Sequence, residues 1–367
     1  MLASIGLAIG FLAILTLLLA ILLVFAERRI LNYGPCTLDI NDGKKRLTVT
    51  GGSSLLSSLA ENDIFIPSAC GGRGSCAYCK VQVLDGGGMV GPVEEPYLTP
   101  EDIKANVRLS CQVKVRRDIT LAIPDELFLA KRFQGKLVHK RKLTYDMVEL
   151  RIALNNPESI EFAAGQYIQL ESQEYAGRDA VMRAYSISSI PSDNRHVEVI
   201  IRKVPEGICT TWVFDHLQEG QDVYLSGPFG DFKLSDSKAP AVFLAGGSGM
   251  APIWSILRDM RERGDDREAI YFFSGRNQDD LFFTEELFAL EKELPNFSYV
   301  PCLTREDPDS DWKGERGRIP AVLPKYIPDT TAYEAYLCGS SNLIDACVDA
   351  MKQRGLQEPN IFYDKFE

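Results

Sequence analysis

The sequence predicts a multidomain α+β and α/β protein: one N-terminal transmembrane helix, a small mixed-sheet domain, an antiparallel β-barrel and a doubly wound parallel sheet. Three observations predict it. Residues 1–26 contain no charged side chain. Residues 130–235 are dense in short strands separated by turn residues, and from residue 236 onward strands alternate with helices. The expected domain boundaries are 1–29, 33–125, 130–235 and 236–367.

Length and charge narrow the class of protein. A chain of 367 residues is long enough for two or three domains. A net charge of −11 and a pI near 5.0 argue against nucleic-acid binding, which needs a basic surface. The charge suits docking to a basic partner, although solubility alone also explains it. Nine cysteines in a chain of this length are not a disulfide framework, which indicates a reducing compartment.

The N-terminal apolar run, Ile5 to Phe25, is long enough to cross a bilayer as a helix. A signal peptide is the alternative, but it requires a basic start, a shorter apolar core and a cleavage site. Here no Lys or Arg precedes the run, and Glu27-Arg28-Arg29 ends it. Positive charge after the span predicts a single-pass anchor that contacts lipid through residues 1–26 and leaves the bulk of the chain in the cytoplasm.

Four cysteines form the most specific motif: Cys70, Cys76, Cys79 and Cys111. Thiolates are soft donors, and four of them hold a 2Fe-2S cluster. The glycines between Cys70 and Cys76 allow the backbone to wrap closely around such a core. Zinc is the alternative, but it usually takes two C-x2-C pairs or one pair with two His, and this chain has one such pair and three His. The first gap holds five residues, one more than in the plant-type pattern.

The elements around these cysteines resemble a β-grasp ferredoxin domain. A hairpin is expected around Asp42-Gly43, followed by a helix that Ser53 or Ser54 caps. The cysteine loop precedes a strand at residues 80–84, and short helices are expected near residues 94–100. A last strand, residues 108–115, is expected to carry Cys111 inward.

The barrel segment contains Arg183-Ala184-Tyr185-Ser186, which resembles the R-x-Y-S motif of the ferredoxin–NADP⁺ reductase superfamily. The resemblance implies FAD: Arg183 pairs with its pyrophosphate, Tyr185 packs on the ring and ribityl chain, and Ser186 bonds the ring edge. Four residues in a plain barrel are the alternative. The order of further motifs supports flavin, since Ser226-Gly-Pro-Phe-Gly230 matches the exit loop of the superfamily.

A predicted helix begins after Gly207, with Thr210 and Thr211 in its first turn. In the superfamily, a glycine followed by small hydroxyl residues binds the flavin diphosphate at this place. The unpaired N–H groups and the dipole of a helix N-terminus favour an anion there.

A second glycine-rich turn, Gly246-Gly247-Ser248-Gly249, follows an apolar strand and precedes Pro252 and a helix expected over Ile253–Arg263. A strand, loop and helix in this order bind a pyrophosphate. The dinucleotide fingerprint G-x-G-x-x-G is not matched, because Pro252 stands in place of the last glycine. The turn resembles the superfamily's G-G-x-G-x-x-P version, which implies a nicotinamide-binding domain.

Two further strand ends belong to this predicted site. Gly275-Arg276 follows a strand at the edge where ligands bind in such sheets, and Asp279-Asp280 beyond it would repel a 2′-phosphate, which favours NADH over NADPH. Cys338-Gly339 matches a pair that in the superfamily lies beside the nicotinamide; a buried structural cysteine is the alternative.

An aromatic residue close to the end of the sequence is usually part of a frayed tail. In one branch of the superfamily, such a residue stacks on the flavin and yields when NADH enters. Phe366 is the candidate, with Tyr363 second. The resemblance assigns the catalytic residues as Cys338, Phe366 and Tyr185.

The complete layout is similar to that of the NADH-input subunits of the sodium-translocating NADH:quinone reductase family, although the segments before Arg183 and Gly207 are shorter than usual. The resemblance implies an inner-membrane oxidoreductase that passes electrons from NADH through FAD and the 2Fe-2S cluster to other subunits of the complex, and finally to ubiquinone. An anchored reductase for an oxygenase or desaturase is one alternative, and a redox-sensing or assembly subunit with inactive sites is another.

Overall fold

The computed structural model describes residues 13–20, 33–68, 70–128 and 130–366, and these form two compact units, Met1–Phe128 and Leu129–Glu367. The predicted transmembrane helix falls mostly outside the described ranges, of which only residues 13–20, a helical segment, belong to the apolar run. Among the described residues, no helix combines the length and the apolar content that crossing a bilayer requires.

The first unit is built on a five-stranded mixed sheet in the order β2-β1-β5-β3-β4. The expected hairpin is confirmed, with Asn41 and Asp42 at positive φ in its turn. Ser54 caps the first helix and Thr99 caps the second. The elements are β1 Pro35–Ile40, β2 Lys45–Thr50, α1 Leu55–Ala60, β3 Lys80–Asp85, α2 Pro100–Lys104, β4 Val107–Leu109 and β5 Ile119–Ala122.

The predicted strand through Cys111 is wrong. Strand β4 ends at Leu109, and Cys111 lies in a turn instead. The carbonyl of Leu109 accepts the backbone N–H groups of Gln112 (2.8 Å) and Val113 (3.2 Å), which closes the turn. The local sequence has strand propensity, but these two hydrogen bonds bend the chain, so Cys111 lies outside the strand.

The second unit begins with an antiparallel barrel in the order β10-β7-β6-β11-β8-β9. A bridge between Ile187 and Val199 joins its two end strands and nearly closes it. The barrel elements are β6 Lys131–Lys142, β7 Met147–Asn156, β8 Tyr167–Glu171, β9 Met182–Ser186, β10 His196–Arg202, α3 Ile208–Thr211 and β11 Asp222–Phe229; a π-helical turn, Trp212–His216, continues α3.

A six-stranded parallel sheet, in the order β15-β14-β13-β12-β16-β17, completes the second unit. Two hydrophobic clusters cover its two faces, as a parallel sheet requires. Its elements are β12 Ala241–Gly246, α4 Met250–Arg263, β13 Ala269–Gly275, α5 Thr284–Glu293, β14 Phe297–Leu303, β15 Glu315–Arg316, α6 Ile319–Val322, β16 Glu334–Ser340, α7 Ser341–Lys352 and β17 Ile361–Phe366.

Helix α4 joins the parallel sheet to the barrel. The buried Ser255 hydroxyl donates to the carbonyl of Ser189 at 2.6 Å. Arg258 donates to the carbonyl of Ser188 and to the Glu198 carboxylate, the latter at 3.0 Å. These bonds hold the helix that begins at the glycine-rich turn against the barrel that carries the R-A-Y-S strand.

Candidate redox and cofactor sites

The four predicted cluster ligands come together as two pairs. Cys76 donates a hydrogen bond to Cys70, which lowers the pKa of Cys70, and Cys79 donates one to Cys111, which lowers the pKa of Cys111. The charges of Cys70 and Cys76 also act on Cys111, so the two pairs are neighbours. Nine cysteines, these four included, are free thiols in the described chain.

This arrangement fits a 2Fe-2S cluster better than a single metal ion. In the cluster each iron takes two thiolates and shares two sulfides, so two thiolate pairs are required. In the described part of the chain, no three His, Cys, Asp or Glu side chains converge on one ion position, as tetrahedral zinc would need. Backbone N–H groups of Gly74, Ser75 and Cys76 point at the Cys70 sulfur, and such donors stabilise a thiolate ligand.

Sequence reasoning missed a side-chain donor at this site. The Gln112 amide donates to the Sγ of Cys111 at 3.3 Å. It is next to a ligand in the sequence, but a glutamine in that place carries no recognisable motif.

A buried ion pair in the same domain was also not predicted from the sequence. Arg108 pairs with Glu94 and donates to the carbonyls of Gly87, Gly88 and Met89 at 2.8–3.0 Å. Glu94 in turn accepts the backbone N–H of Leu109, two residues before Cys111, at 3.1 Å. Burial opposes ionisation of Glu94, but the bonds from Arg108 and the backbone outweigh it and lower the pKa of Glu94. The pair thus ties the loop at residues 87–94 to the strand that leads to the cluster.

We expect Glu94→Ala to destabilise the cluster domain by about 3–5 kcal/mol, because Arg108 would remain buried without its partner. Chemical denaturation followed by cluster absorbance measures this. Glu95→Ala, at the exposed neighbour, is the control and should change stability little. Because the folded pKa of Glu94 is lowered, its contribution is present above its unfolded pKa and is lost as the pH falls through the folded value. Equal stability of the two variants would contradict this role.

The R-A-Y-S strand is β9, and its residues lie beside the start of α3. Tyr185 donates from its hydroxyl to the sulfur of Cys209, the second residue of α3. Burial first, and then Cys209, raise the pKa of Tyr185, so its phenol stays protonated. The positive charge of Arg183 also acts on Cys209. Arg183 is half-buried and Ser186 is buried. The contact between Tyr185 and Cys209 was not predicted from the sequence.

The start of α3 fits an anionic ligand. Gly207 precedes the helix in an extended conformation, and no side chain caps the first turn. The helical residues run on to His216, so the dipole is that of more than two turns. The Thr210 hydroxyl is already engaged by the carbonyls of Val204 and Gly207, both at 3.3 Å, whereas Thr211 is half-buried. Arg183 together with this uncapped helix end suits the diphosphate of FAD.

The glycine-rich turn lies against the end of strand β16. A Cβ at Gly249 would be 2.2 Å from the Cys338 carbonyl oxygen, so only glycine permits this approach. No side chain caps the helix that follows, in which Pro252 is buried. Gly246 and Gly247 precede Gly249, and Gly247 has a φ of +59°. The uncapped helix end and a glycine surface without Cβ atoms suit the pyrophosphate of a nicotinamide dinucleotide.

Cys338 itself is fully buried at 0% exposure, and burial raises its pKa well above the usual value. Its thiol belongs to the hydrophobic cluster beneath the glycine turn. Gly339, the next residue, has a φ of +143° and is also buried. The structure therefore places the Cys338 backbone against the turn and its thiol in the core.

Arg276 and the predicted acidic pair lie at the carboxyl end of β13, directly after Gly275. The Asp280 carboxylate is 8% exposed and accepts the Arg276 Nε (3.1 Å), Nη2 (3.2 Å) and backbone N–H (2.8 Å). Asp279 is exposed. A third carboxylate, Glu306, accepts two bonds from Gln278 in the same loop. The two predicted aspartates thus differ: one holds Arg276, and the other faces solvent.

The aromatic residues near the end of the sequence belong to β17, an unpredicted strand that pairs in parallel with β16. Phe366 stands opposite Ser340, one residue beyond Gly339, and packs on the same hydrophobic cluster as Cys338. Tyr363 points the other way, is 53% exposed and contacts the Lys365 ammonium. Phe366 is therefore at the carboxyl end of β17, where ligands bind in such sheets, and Tyr363 is on the opposite face of that strand.

Family models match the chain in three consecutive parts. A model of the 2Fe-2S iron-sulfur cluster binding domain matches residues 38–116. A model of the oxidoreductase FAD-binding domain matches residues 134–234, and one of the oxidoreductase NAD-binding domain matches residues 243–349. The chain is therefore an NADH oxidoreductase that uses FAD and a 2Fe-2S cluster.

Solved structures share the fold. Amycolatopsis cytochrome P450 reductase GcoB has a TM-score of 0.74 and 26% identity over 90% of this chain and 98% of its own. The ferredoxin reductase in carbazole 1,9a-dioxygenase has a TM-score of 0.70 and 25% identity over 91% and 99%.

Curated relatives are closer in sequence. The F subunit of the Na(+)-translocating NADH-quinone reductase of Pseudomonas paraeruginosa is 35% identical over 404 aligned positions, 99% of this chain and 98% of the relative. The protein of the same name from Pseudoalteromonas atlantica is 31% identical over 99% of both chains. The aligned length exceeds the 367 residues of this chain, so the relatives carry segments that it lacks. At this identity over nearly the whole length, the chain belongs to the family of the F subunits of the Na(+)-translocating NADH-quinone reductase.

Proposed function

We propose that this chain is the NADH-input subunit of a membrane NADH:quinone reductase of the sodium-translocating type. The observation that carries the proposal is the order of three cofactor domains along a chain that matches the F subunit over 99% of its length. When bound, FAD would supply an acceptor for the electron pair of NADH and a donor of single electrons to the cluster, which suits a one-electron partner. The partners are the other subunits of the complex.

The site residues divide by cofactor. Cys70, Cys76, Cys79 and Cys111 hold the cluster, and Arg183, Tyr185 and Ser186 hold FAD with Gly207, Thr210 and Thr211. NADH is bound by two sets of residues, the glycine turn (Gly246, Gly247, Gly249, Pro252) and the strand ends (Gly275, Arg276, Cys338, Gly339). Phe366 would cover the flavin ring until NADH displaces it. No acid–base residue is needed, since hydride transfer depends on ring positioning.

The function is tested by adding NADH anaerobically to the purified full chain. We expect flavin absorbance to bleach first and the paramagnetic signal of the reduced cluster to follow. With the membrane subunits present, sodium should accelerate quinone reduction. Flavin reduction without any cluster signal would overturn the electron path. A rate of quinone reduction that does not change with sodium would overturn only the assignment to the sodium-translocating type.

We further propose that residues 1–29 anchor the chain in the inner membrane, with residues 1–26 in lipid and the bulk in the cytoplasm. Support comes from the uncharged sequence of residues 1–26 and from the helical conformation of residues 13–20. Five large apolar side chains of that helical segment are 52–61% exposed, and lipid would cover them: Ile14, Leu15, Leu17, Leu18 and Leu19. A chain without residues 1–29 should leave the membrane fraction; retention there after a salt wash would contradict the anchor.

An anchored NADH-dependent reductase for an oxygenase or desaturase is the second candidate. The specific observation in its favour is the fold shared with a cytochrome P450 reductase and a dioxygenase reductase. The sequence identity to those proteins, 26% and 25%, is lower than the 35% to the F subunit. Quinone reduction by the assembled complex distinguishes the two candidates.

Asp280 supports a preference for NADH. It neutralises Arg276, the cation best placed to bind a 2′-phosphate, and adds negative charge with Asp279 and Glu306. We expect Asp280→Asn to raise kcat/KM for NADPH about tenfold relative to NADH, which corresponds to roughly 1.4 kcal/mol. Asp349→Asn, at an exposed position of α7, is the matched control. An unchanged ratio in Asp280→Asn would end this explanation.

A further inference from the structure

We infer that Gln112 tunes the reduction potential of the iron–sulfur cluster by donating a hydrogen bond to one of its ligands. The inference rests on the proposed ligand set and deepens it, since no comparison assigns Gln112 a role. The bond joins Gln112 Nε2 to Cys111 Sγ over 3.3 Å, within the range accepted for a sulfur acceptor.

The position of the Gln112 amide is set by packing on two sides. Its backbone N–H donates to the Leu109 carbonyl at 2.8 Å, and this turn fixes the backbone from which the side chain extends. On the other side lies Gly74 of the cysteine loop. A Cβ at Gly74 would be 2.9 Å from Gln112 Nε2 and 3.2 Å from its Cδ, and 2.8 Å from a methyl group of Val93. The missing side chain of Gly74 therefore leaves the room in which the amide reaches the sulfur.

A donor at this place acts on the two redox states unequally. Reduction brings one electron into the cluster and no proton, so the cluster becomes one unit more negative. The positive end of the N–H dipole points at a ligand of the cluster and stabilises the reduced state more, which raises the potential. Apart from the thiol of Cys76, which is itself a proposed ligand, the donors to Cys70 are backbone N–H groups, which mutation does not remove. At Cys111 the donor is a side chain, so its contribution can be separated.

The test is a redox titration of the full chain, with the paramagnetic signal of the reduced cluster as readout. Gln112→Met keeps the length of the side chain and removes the donor. We expect the ratio of reduced to oxidised cluster at a fixed solution potential to fall about tenfold, which is a shift of about 59 mV for a one-electron couple. The flavin potential, measured in the same sample, should not change.

Gln82→Met is the matched control. Gln82 lies on β3 of the same sheet, but its amide donates to the Ala105 carbonyl at 3.0 Å and not to a cysteine. It should leave the potential unchanged. Equal potentials in wild type and Gln112→Met, or equal shifts in both variants, would overturn the inference.

Iron and acid-labile sulfide content distinguishes this failure from a failure of the ligand assignment. Wild-type chain without iron would refute the proposed cluster site itself. Should Gln112→Met hold no cluster, Gln112→Glu replaces the donor with a carboxylate of the same length and should lower the potential further. Loss of the cluster in both variants, with Gln82→Met intact, would assign Gln112 to cluster assembly and overturn a tuning role.

Discussion

We expect Cys76→Ala to abolish the paramagnetic signal of the reduced cluster and to leave the reduction of flavin by NADH at its wild-type rate. Cys76 is one half of the Cys70–Cys76 pair, and one iron would lose a thiolate that no described neighbour replaces. The flavin and nicotinamide residues belong to a separate compact unit, which begins at Leu129. Stopped-flow absorbance at the flavin band and spectroscopy of the same sample measure both effects.

Cys36→Ala is the matched control for this substitution. Cys36 lies in the same domain and is 2% exposed, and its sulfur faces the carbonyls of Tyr33 and Gly34 rather than another cysteine. Its loss should cost only the packing of a small side chain and leave the cluster intact. A cluster that survives Cys76→Ala would remove that ligand from the set. Loss of flavin reduction together with the cluster would show that the two units do not fold independently.

The second large effect is expected at Gly249. An alanine there would place its Cβ 2.2 Å from the Cys338 carbonyl oxygen and 2.6 Å from the carbonyl carbon, both backbone atoms that cannot rotate away. The glycine turn must move, and the start of α4 moves with it. We expect the rate of flavin reduction at low NADH concentration to fall about a hundredfold, as displacements near 1 Å in a binding site do. Dithionite should still reduce both flavin and cluster.

Gly264→Asn is the control for a glycine at the other end of the same helix. Gly264 has a φ of +62° and no atom within 4 Å of an added Cβ. Asparagine accepts this conformation at low cost. NADH should reduce this variant normally. A Gly249→Ala enzyme that reacts with NADH at the wild-type rate would show that the turn is not the binding surface.

Much of the fold followed from local patterns. The hairpin around Asn41 and Asp42, the capped helix at Ser54 and the alternation after residue 236 were all predicted, because caps and turns act between residues close in sequence. Helix α4 begins at Met250, three residues before the predicted start, since the glycine turn runs directly into it.

Two segments differ from the sequence prediction, for different physical reasons. The residues around Cys111 have strand propensity, yet the chain turns there because two N–H groups bond the Leu109 carbonyl. No strand was predicted for residues 361–366, yet they form β17 because the edge of β16 offers backbone groups for pairing. The turn at Cys111 is closed by residues three and four positions apart, whereas β17 pairs with residues 26 positions earlier in the chain.

Sequence alone determined which chemistry this protein performs: four thiolates at cluster spacing, an R-x-Y-S strand and a glycine turn, in one order. Ligand type and local spacing are written in consecutive residues, so they can be read without coordinates. The tertiary structure decided the contacts that position those groups, such as the Gln112 amide on Cys111 beside Gly74, the hold of Asp280 on Arg276, and the approach of Gly249 to Cys338. Two of these contacts, Gln112 with Gly74 and Gly249 with Cys338, join residues tens of positions apart, and only packing selects such partners.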